Sequence, residues 1–396
     1  MKVLVVPDSR YYRLPNGKVY AESIYIYDFF KRYLLVFDEV IVAARIKHID
    51  KEQGNMQEAT GPRVRFLEIP NYRGPWQHAY RYLQLLKVIK QGIKESDCAI
   101  FRVPAATANT FWKYYKKSEK KYAIEVVVDP EQYFAKGTMK SILRPLIQKV
   151  WTKELKKMCI QANGVSYVTK EYLQKKYPCR ALINSETKEY FTADYSSVML
   201  PKESFSEPRK YGMKKSWTLI HCANYISGYR KGHLTVLKTV KELKKRGIDI
   251  SVRFLGDGSL VEEFCEIARK LNIERNVFFV GRLSDNAEVI KEFKRADIMI
   301  FPTMAEGLPR VLLEGMATGL PCISSPVCGI PEILNEEFLI DYNDYFGYAN
   351  KVEEFICNPN KMNQVSADNI KKAWEYEETK LNVKREEFYK KLYKCI

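Results

Sequence analysis

Short apolar runs, many of them β-branched, alternate along the chain with longer segments in which apolar residues recur every three or four positions. The short runs are typical of strands buried in a parallel sheet, and the longer segments have the period of amphipathic helices. In the first half, the pattern predicts strands at 1–6, 39–43, 63–69, 98–102 and 123–128 and helices over 21–33 and 78–94.

The second half repeats this alternation, with glycines at the joints between elements. A polar, proline-containing segment, 201–215, separates the halves and is interpreted as a linker. The pattern therefore predicts two doubly wound α/β domains. Because ligands bind beyond the carboxyl ends of parallel strands, we expect the two domains to face a cleft that holds the working site. The strands predicted in this half are 217–222, 251–255, 277–280, 298–301 and 321–324.

Length and composition narrow the class of protein. The chain has 396 residues, enough for two domains, and no apolar run approaches the roughly 18 residues that cross a bilayer. Its nine cysteines are scattered and include no Cys-x-x-Cys pair. We therefore expect a cytoplasmic protein without a disulfide framework or a zinc site.

The net charge of +17 is concentrated in the first half of the chain. Residues 1–200 hold 34 Lys and Arg against 20 Asp and Glu, whereas residues 201–396 hold 31 against 28. Nucleic acid, an anionic membrane or a phosphorylated acceptor would suit such a surface, and an ordinary basic surface remains an alternative. The sequence contains no nucleic-acid-binding motif, so we do not expect nucleic acid as the partner.

The segment 296–321 carries the most informative chemistry. After a buried strand come Glu306 in a loop, Pro309 at the expected first helical position, and Glu314 in the second turn of that helix, which Gly319 ends. Free backbone N–H groups at a helix start bind diphosphate, and carboxylates accept hydrogen bonds from vicinal hydroxyls of sugars. The pattern predicts a site for a ligand that contains both groups.

On these residues the sequence resembles glycosyltransferase family 4, whose members have two Rossmann-like domains in the GT-B architecture and a Glu-x7-Glu signature. The resemblance also covers Arg230-Lys-Gly232, Phe254-Leu-Gly-Asp-Gly258, Val280-Gly-Arg-Leu-Ser-Asp285 and Gly329-Ile-Pro-Glu-Ile333. It implies the GT-B fold, an acceptor domain at 1–204, a donor domain at 205–372, and a final helix at 373–396 that packs back on the first domain.

The resemblance further implies a role for individual residues. Glu306 would hold the transferred sugar, Glu314 the nucleotide ribose, and Lys231 the donor diphosphate. The remaining residues that the resemblance assigns to the donor are Gly256, Gly307, Leu308, Pro309, Arg282 and Leu283, with Arg282 and Leu283 in a turn against the base.

The sequence departs from the family pattern at two positions. An Arg usually precedes the diphosphate Lys by five residues, but this position is Ile226, and Arg230 is an alternative source of the charge. A His that meets the sugar in many members is replaced by Asp129. Asp129 is expected in the catalytic region, where it would bind a sugar hydroxyl, position the acceptor or hold its own loop.

Other candidates rest on weaker signals. Asn16 and Gly17, beyond the first strand, would lie over the donor phosphates or the acceptor, or form an ordinary turn. We interpret His221 and His233 as structural because neither has a partner at metal-ligand spacing. No Asp-x-Asp motif is present, so we expect no metal and no cofactor besides the donor itself.

The segment 140–160 combines an apolar stripe with lysines on the other face. It is either an outer helix packed on the sheet or a helix that touches an anionic membrane, and both descriptions can hold together. The stripe is Leu143, Leu146, Ile147, Val150, Trp151, Leu155 and Met158, and the lysines are Lys149, Lys153, Lys156 and Lys157.

Taken together, the sequence predicts a retaining, metal-independent hexosyltransferase that uses a nucleotide sugar, with a UDP-sugar favoured. The expected acceptor is a saccharide or a polyprenyl-diphosphate-linked saccharide in surface polysaccharide synthesis, at the inner face of the cell membrane. The alternatives are an epimerase or phosphorylase of the same fold, and a non-catalytic protein that binds nucleotide sugars, which only Ile226 favours.

Overall fold

The computed structural model describes residues 1–396 except 8, 53–55, 73, 137, 139, 140 and 284, and leaves aside the side chains at 75 and 78. Strands and helices alternate along the chain. The strands are β1 Lys2–Val6, β2 Arg10–Arg13, β3 Val19–Ala21, β4 Glu39–His48, β5 Gln57–Glu58, β6 Val64–Pro70, β7 Cys98–Val103, β8 Tyr122–Val126, β9 Gly164–Tyr167, β10 Phe191–Asp194, β11 Ser216–Tyr225, β12 Asp249–Asp257, β13 Val277–Gly281, β14 Ile298–Phe301 and β15 Cys322–Ser324. The helices are α1 Tyr27–Phe30, α2 Gly74–Tyr80, α3 Tyr82–Glu95, α4 Ala106–Tyr115, α5 Pro130–Tyr133, α6 Arg144–Gln161, α7 Tyr172–Lys176, α8 Arg180–Asn184, α9 His233–Lys245, α10 Val261–Lys270, α11 Asn286–Arg295, α12 Arg310–Ala317, α13 Tyr345–Cys357, α14 Pro359–Ala373 and α15 Glu378–Lys394.

Contacts divide the chain into two compact units. The first comprises Met1–Val128, Val150–Tyr195 and Asn382–Ile396, and the second comprises Asp129–Lys149 and Ser196–Leu381. The domain limits at 204 and 372 stay a prediction. The corresponding contact-based limits follow Tyr195 and Leu381.

The first unit is built on a sheet in the order β10-β9-β8-β7-β1-β4-β2-β3-β5, with β6 also paired to β4. Its central strands are parallel, as the alternation of apolar runs and amphipathic segments predicts. Val3, Leu4, Val5 and Val6 of β1 are fully buried, which explains their uninterrupted apolar run. β3 pairs antiparallel with β2 and with β5.

The second unit contains a parallel sheet in the order β13-β12-β11-β14-β15. Its core is formed by buried residues of the central strands, such as Leu219, Phe254 and Ile300, together with residues of α9 and α13. The loops that follow β11 and β14 start at the same edge of the sheet, because both strands are parallel and adjacent.

One prediction about the first half is wrong, and another is confirmed with different bounds. The segment 21–33 is not one helix, because β3 ends at Ala21 and α1 covers only Tyr27–Phe30. Its aromatic residues pack edge to face on each other instead, with the rings of Tyr25 and Phe29 4.8 Å apart. The predicted helix at 78–94 begins earlier, at Gly74, and is divided into α2 and α3.

The segment 201–215, predicted as a linker, packs within the second unit. The Arg209 guanidinium donates hydrogen bonds to the carbonyl oxygens of Phe293, Ala296 and Thr318, and the Arg209 N–H donates to Ser366 Oγ at 2.8 Å. The segment is therefore anchored to helices of the second unit, which a polar composition alone does not indicate.

The last helix is tied to β8 inside the first unit. Tyr389 on α15 and Tyr195 donate hydrogen bonds to Glu125 Oε1 at 2.9 and 3.1 Å, and Arg102 binds the other oxygen. Burial opposes ionisation of Glu125, but Arg102, Arg32 and the tyrosine hydroxyls outweigh it and lower the pKa of this carboxyl. The charged network thus fixes the C-terminal segment to the first sheet.

The apolar stripe predicted over 140–160 is covered only in part. On α6, Leu155 and Met158 are buried, but Leu146 and Val150 are 59% and 51% exposed, and Leu143, just before the helix, is 62% exposed. Lys149, Lys153, Lys156 and Lys157 are exposed and, within the described part of the chain, have no carboxylate partner. No described helix combines the length and apolar content needed to cross a bilayer.

Candidate active site

Glu306 lies in the loop after β14, where two side chains bind its carboxylate. Lys231 Nζ contacts Oε1, and Thr303 Oγ1 donates a hydrogen bond to the same oxygen at 3.1 Å. The side chains of Glu306 and Lys231 are 14% and 32% exposed, so a ligand can reach both. Two residues predicted from separate motifs therefore form one charged pair.

Lys231 reaches Glu306 because the turn after β11 is pressed against the loop after β14. Tyr229–Lys231 forms a 3₁₀ turn, and Gly232, with a φ of 75°, is then the N-cap of α9. A Cβ atom at Gly232 would lie 1.7 Å from the carbonyl oxygen of Pro302. Only glycine fits this approach, which is completed by a 2.9 Å hydrogen bond from Met304 N–H to Arg230 O.

Buried backbone and hydroxyl groups hold the Glu306 loop at both ends. Ser325 Oγ accepts a hydrogen bond from Thr303 N–H at 3.0 Å and donates one to Thr303 O. Gly329 N–H donates to Gly307 O at 3.0 Å. The loop is thus fixed by the protein's own contacts, as electrostatic preorganisation requires.

Pro309 is the N-cap of α12 and not its first helical residue, which corrects the sequence-based position. Its ψ of 113° is extended, and the helix starts at Arg310. The first bond of the turn runs from Leu312 N–H to Pro309 O at 3.2 Å, so the N–H groups of Arg310 and Val311 have no acceptor within the helix. Leu308, beside Pro309, is buried.

Gly319 ends α12 as predicted, immediately after the C-cap. Its φ is 73°, its N–H donates to Met316 O at 2.9 Å, and Leu320 N–H donates to Gly315 O at 3.2 Å. This pair of bonds is the Schellman arrangement, which favours glycine at that position.

Glu314 is half-buried on α12 and accepts no hydrogen bond from the described residues. Burial raises the pKa of its carboxyl, and only the nearby Arg310 opposes this effect. Glu314 also contributes to the raised pKa of the buried Cys222 thiol on β11. A ligand that donates hydrogen bonds would satisfy it.

The end of β12 and the turn after β13 lie on the same edge of the sheet. Gly256 has a φ of 125°, and a Cβ there would lie 1.7 Å from Ala223 O. Arg282 holds its guanidinium 4.9 Å from the centre of the Tyr225 ring and donates to Tyr225 Oη at 3.3 Å. Leu283 is partly exposed beside it.

Ile226, the position where the family has Arg, belongs to the hydrophobic core. The side chain is fully buried, its N–H donates to Asp257 O at 2.9 Å, and its carbonyl accepts from Leu260 N–H at 3.0 Å. Arg230 is half-buried, and its guanidinium lies 4.6 Å from the centre of the Tyr133 ring. The part that Arg230 takes at the diphosphate stays a prediction.

Asp129 is fully buried and is the N-cap of α5, where its Oδ1 accepts a hydrogen bond from Glu131 N–H at 2.8 Å. Burial raises the pKa of the Cys328 thiol, and both Asp129 and Glu306 raise it further. The hydrogen bond supports the loop-holding role among the three that were left open.

Asn16 and Gly17 form the turn between β2 and β3 of the first unit. Asn16 Oδ1 accepts a hydrogen bond from Lys18 N–H at 2.9 Å, and Arg13 donates to Gly17 O at 3.0 Å. The φ of Gly17 is 80°, which the turn requires. Their contact with donor or acceptor stays a prediction.

His221 and His233 pack together beneath the Lys231 turn. Burial lowers the pKa of His221 to about 4, and burial, His221 and Lys231 together lower that of His233 to about 2. His221 Nδ1 hydrogen-bonds with Ile300 O at 2.9 Å, and the two imidazole rings are 4.6 Å apart. Both are neutral core residues at physiological pH.

Sequence reasoning missed Thr303, Ser325 and Tyr225. A signal for the first two was present, because hydroxyl residues follow the adjacent strands β14 and β15 and flank the Glu306 loop. Tyr225 ends β11, whose full length the apolar run does not show. The described residues contain no group of three potential metal ligands, and metal independence stays a prediction.

Comparisons with known proteins agree on the class of enzyme. Residues 208–372 match the model of the family described as "Glycosyl transferases group 1". "Protein CapJ" of Staphylococcus aureus is 28% identical over 366 residues, which cover 91% of this chain and 89% of CapJ. An Escherichia coli UDP-Gal:α-D-GlcNAc-diphosphoundecaprenol α-1,3-galactosyltransferase is 30% identical over 100 residues, 24% of this chain and 25% of that protein.

The solved structure of Anabaena HepE in complex with UDP-glucose has the same fold. It superimposes with a TM-score of 0.67 at 15% sequence identity and covers 98% of both chains. Together with the two parallel-sheet domains and the match over 208–372, these findings identify the protein as a glycosyltransferase with the GT-B fold.

Proposed function

We propose that the protein is a retaining glycosyltransferase of family 4. It moves a sugar from a nucleotide-sugar donor to a saccharide or lipid-linked saccharide acceptor in surface polysaccharide synthesis. The observation that carries the proposal is the Lys231–Glu306 pair beside the start of α12, with Glu314 unpaired on the same helix.

Glu314 binds the nucleotide ribose in this proposal. A desolvated carboxylate without donors is costly, and two vicinal hydroxyls supply the hydrogen bonds that the described residues do not. Arg282 and Leu283, in the turn after β13, and Gly256 lie against the base and ribose end of the donor.

The donor diphosphate lies between Lys231 and the start of α12. The N–H groups of Arg310 and Val311 have no helical acceptor, and a helix N-terminus favours negative charge. Lys231 is held beside them by the Gly232 turn, and Arg230 is within the same turn. Cationic side chains and amides therefore replace a divalent ion in neutralising the diphosphate.

Glu306 and the backbone of Gly307, Leu308 and Pro309 hold the transferred sugar. In the reaction the bond from the anomeric carbon to the phosphate oxygen breaks, and the acceptor oxygen bonds to that carbon on the same face. The acceptor proton passes to the departing phosphate, so no protein nucleophile is needed. The protein contributes by positioning and by stabilising the leaving diphosphate.

A UDP-sugar is the favoured donor. HepE, which shares the fold at low identity, binds UDP-glucose, and the E. coli relative uses UDP-Gal and a diphosphoundecaprenol-linked acceptor. These properties belong to those proteins, and they make a UDP-hexose and a polyprenyl-diphosphate-linked acceptor the first pair to test. Asp129 would position the acceptor or hold its loop.

The enzyme works at the inner face of the cell membrane. A lipid-linked acceptor requires that approach, and the exposed lysines of α6, without carboxylate partners among the described residues, suit an anionic surface. The four lysines are Lys149, Lys153, Lys156 and Lys157.

A panel of nucleotide sugars tests the proposal. The expected donor raises the unfolding temperature by mass action, and product forms only when donor and acceptor are both present. Glu274→Ala, a change in an exposed turn of the same unit and outside the site, is the control and should respond to the donor as the wild type does. Conversion of the donor to an epimer without acceptor, or tight binding without any turnover, would contradict transfer.

A further inference from the structure

α2 and α3 form a nearly continuous helix on the first unit. Arg81, the one residue between them, donates its N–H to Gln77 O at 3.1 Å, and Leu85 N–H donates to Arg81 O at 2.9 Å. These bonds keep the helical register across the junction. Positions that alternate by four and three residues therefore share one face along both helices. That face carries Trp76, Tyr80, Leu83, Lys87, Lys90 and Lys94.

The first part of this face is apolar and uncovered. Trp76, Tyr80 and Leu83 are 87%, 88% and 75% exposed. The opposite side of α3 is its packed side, where Leu85 and Ile89 are buried. A helix on the surface of a water-soluble domain normally turns polar residues outward, so this outward stripe needs another partner.

The second part of the face is cationic and unpaired. Lys87, Lys90 and Lys94 are exposed and have no carboxylate partner within the described part of the chain. Glu95, the acid at the end of α3, is engaged by Arg65 at 2.7 Å and by Gln91 at 2.8 Å.

A basic groove lies along the same helix. It is lined in part by Lys47, Glu68, Arg81 and Lys87. Glu68, the acid among the groove residues, is bound by His48 at 2.7 Å, and it also contacts Arg13 at 3.3 Å. Lys47 and Arg81 therefore face the groove without a carboxylate of their own among the described residues.

We propose that the outer face of α2 and α3 docks on an anionic lipid bilayer. Trp76, Tyr80 and Leu83 enter the interface, where aromatic side chains are favoured, and Lys87, Lys90 and Lys94 contact anionic headgroups. The proposal gives the membrane step of the proposed function a specific surface, distinct from the lysines of α6.

Charge complementarity selects the bilayer over a second copy of this chain. A two-fold contact through this face would bring unpaired lysines of both copies into one interface. An anionic bilayer accommodates the apolar residues in its interface and the lysines at its surface at the same time.

Cosedimentation of the full chain with vesicles tests the proposal. The wild type should bind phosphatidylcholine vesicles that contain phosphatidylglycerol more tightly than pure phosphatidylcholine vesicles. Replacing Trp76, Tyr80 and Leu83 together with Ser should weaken binding by roughly 10- to 100-fold, because the inserted apolar area is lost. Replacing Lys87, Lys90 and Lys94 with Gln should weaken binding mainly at low salt and flatten its salt dependence.

Two controls locate the surface. Leu182→Ser with Ile183→Ser removes exposed apolar residues of α8 in the same unit, 45% and 57% exposed, and should leave binding unchanged. The fluorescence of Trp76 gives a direct report: the wild type should shift to shorter wavelength on anionic vesicles, and Trp76→Phe should lose that shift.

The proposal would be overturned if the triple Ser variant bound vesicles as tightly as the wild type does. It would also be overturned if the variant lost vesicle binding and sedimentation showed that the wild type is a dimer and the variant a monomer. Donor-induced stabilisation and transfer to a soluble saccharide are measured on each variant. If the triple Ser variant keeps donor-induced stabilisation, transfer and wild-type vesicle binding, the proposed docking surface is wrong and the proposed function stands. If the wild type shows neither, the proposed function fails independently.

Discussion

Gly232 and Pro302 lie so close that a Cβ atom at 232 would be 1.7 Å from the Pro302 carbonyl oxygen. Gly232 is the N-cap of α9 and Pro302 follows β14, so this contact joins the loops of two adjacent strands. It is the reason that Lys231 and Glu306 meet. The geometry of the charged pair thus depends on the absence of one side chain.

Gly232→Ala should therefore abolish donor binding, because the methyl group forces the two loops apart. Gly247→Ala is the matched control: its φ of 81° imposes the same backbone strain, but no atom lies within 4 Å of the added Cβ. We expect both variants to lose some stability and only Gly232→Ala to lose donor affinity, as measured by calorimetric titration. Equal donor affinity in the two variants would show that the contact does not position the site.

Glu314→Gln should stabilise the ligand-free enzyme near neutral pH. Burial raises the pKa of Glu314, so the folded state binds its proton more tightly than the unfolded state does. Below the unfolded pKa of about 4.3 both states are protonated, and ionisation above it destabilises the wild type. In denaturant unfolding, the variant should thus have a higher free energy of unfolding than the wild type at pH 7, and the difference should vanish near pH 4. A variant less stable than wild type at pH 7 would contradict the desolvated carboxylate.

Lys231→Ala should lower turnover on the order of 100-fold, the effect of removing one preorganised charge-stabilising group. Lys241→Ala, on the exposed side of α9, is the control and should retain wild-type activity. Excess chelator should leave the wild-type rate unchanged, because we expect cationic groups to neutralise the diphosphate. Loss of activity with chelator and its return with magnesium would refute this prediction.

Acid should destabilise the protein through His221 and His233. Their folded pKa values, about 4 and about 2, lie below the unfolded value of about 6.5, so the stability they contribute is full above pH 6.5. It is lost as pH falls toward pH 4, by about 1.4 kcal/mol per pH unit for each histidine. His233→Phe, stacked between Phe254 and Phe264, should remove one such contribution. The measurement is the free energy of unfolding in urea for the variant and the wild type, from pH 7 to 4.5. The difference between the two should change with pH, and a constant difference would contradict the prediction.

The sequence predicted the sheets better than their edges. Buried parallel strands leave continuous apolar runs such as that of β1, and the Glu-x7-Glu spacing is enough to locate Glu306 and Glu314 along the chain. The short β2 and β3 hairpin left no comparable signal, since its strands have four and three residues.

Contacts between distant segments explain what was missed. Nothing in the composition of 201–215 indicates that Arg209 hydrogen-bonds three carbonyl groups of the second unit. The periodicity of 140–160 likewise does not show that Leu143 and Leu146 are exposed while Leu155 is buried, because the pattern is the same along the helix. Whether a helical stripe is covered depends on its neighbours in three dimensions.

The most direct test of the central claim measures donor affinity and turnover for Glu314→Ala and Glu306→Ala with the same nucleotide sugar. Glu314 is assigned to the ribose and Glu306 to the reacting sugar, so Glu314→Ala should mainly weaken donor binding. Glu306→Ala should bind donor and lose turnover, because its interaction is strongest in the transition state. Wild-type affinity and wild-type turnover in both folded variants would contradict a donor site at these two carboxylates.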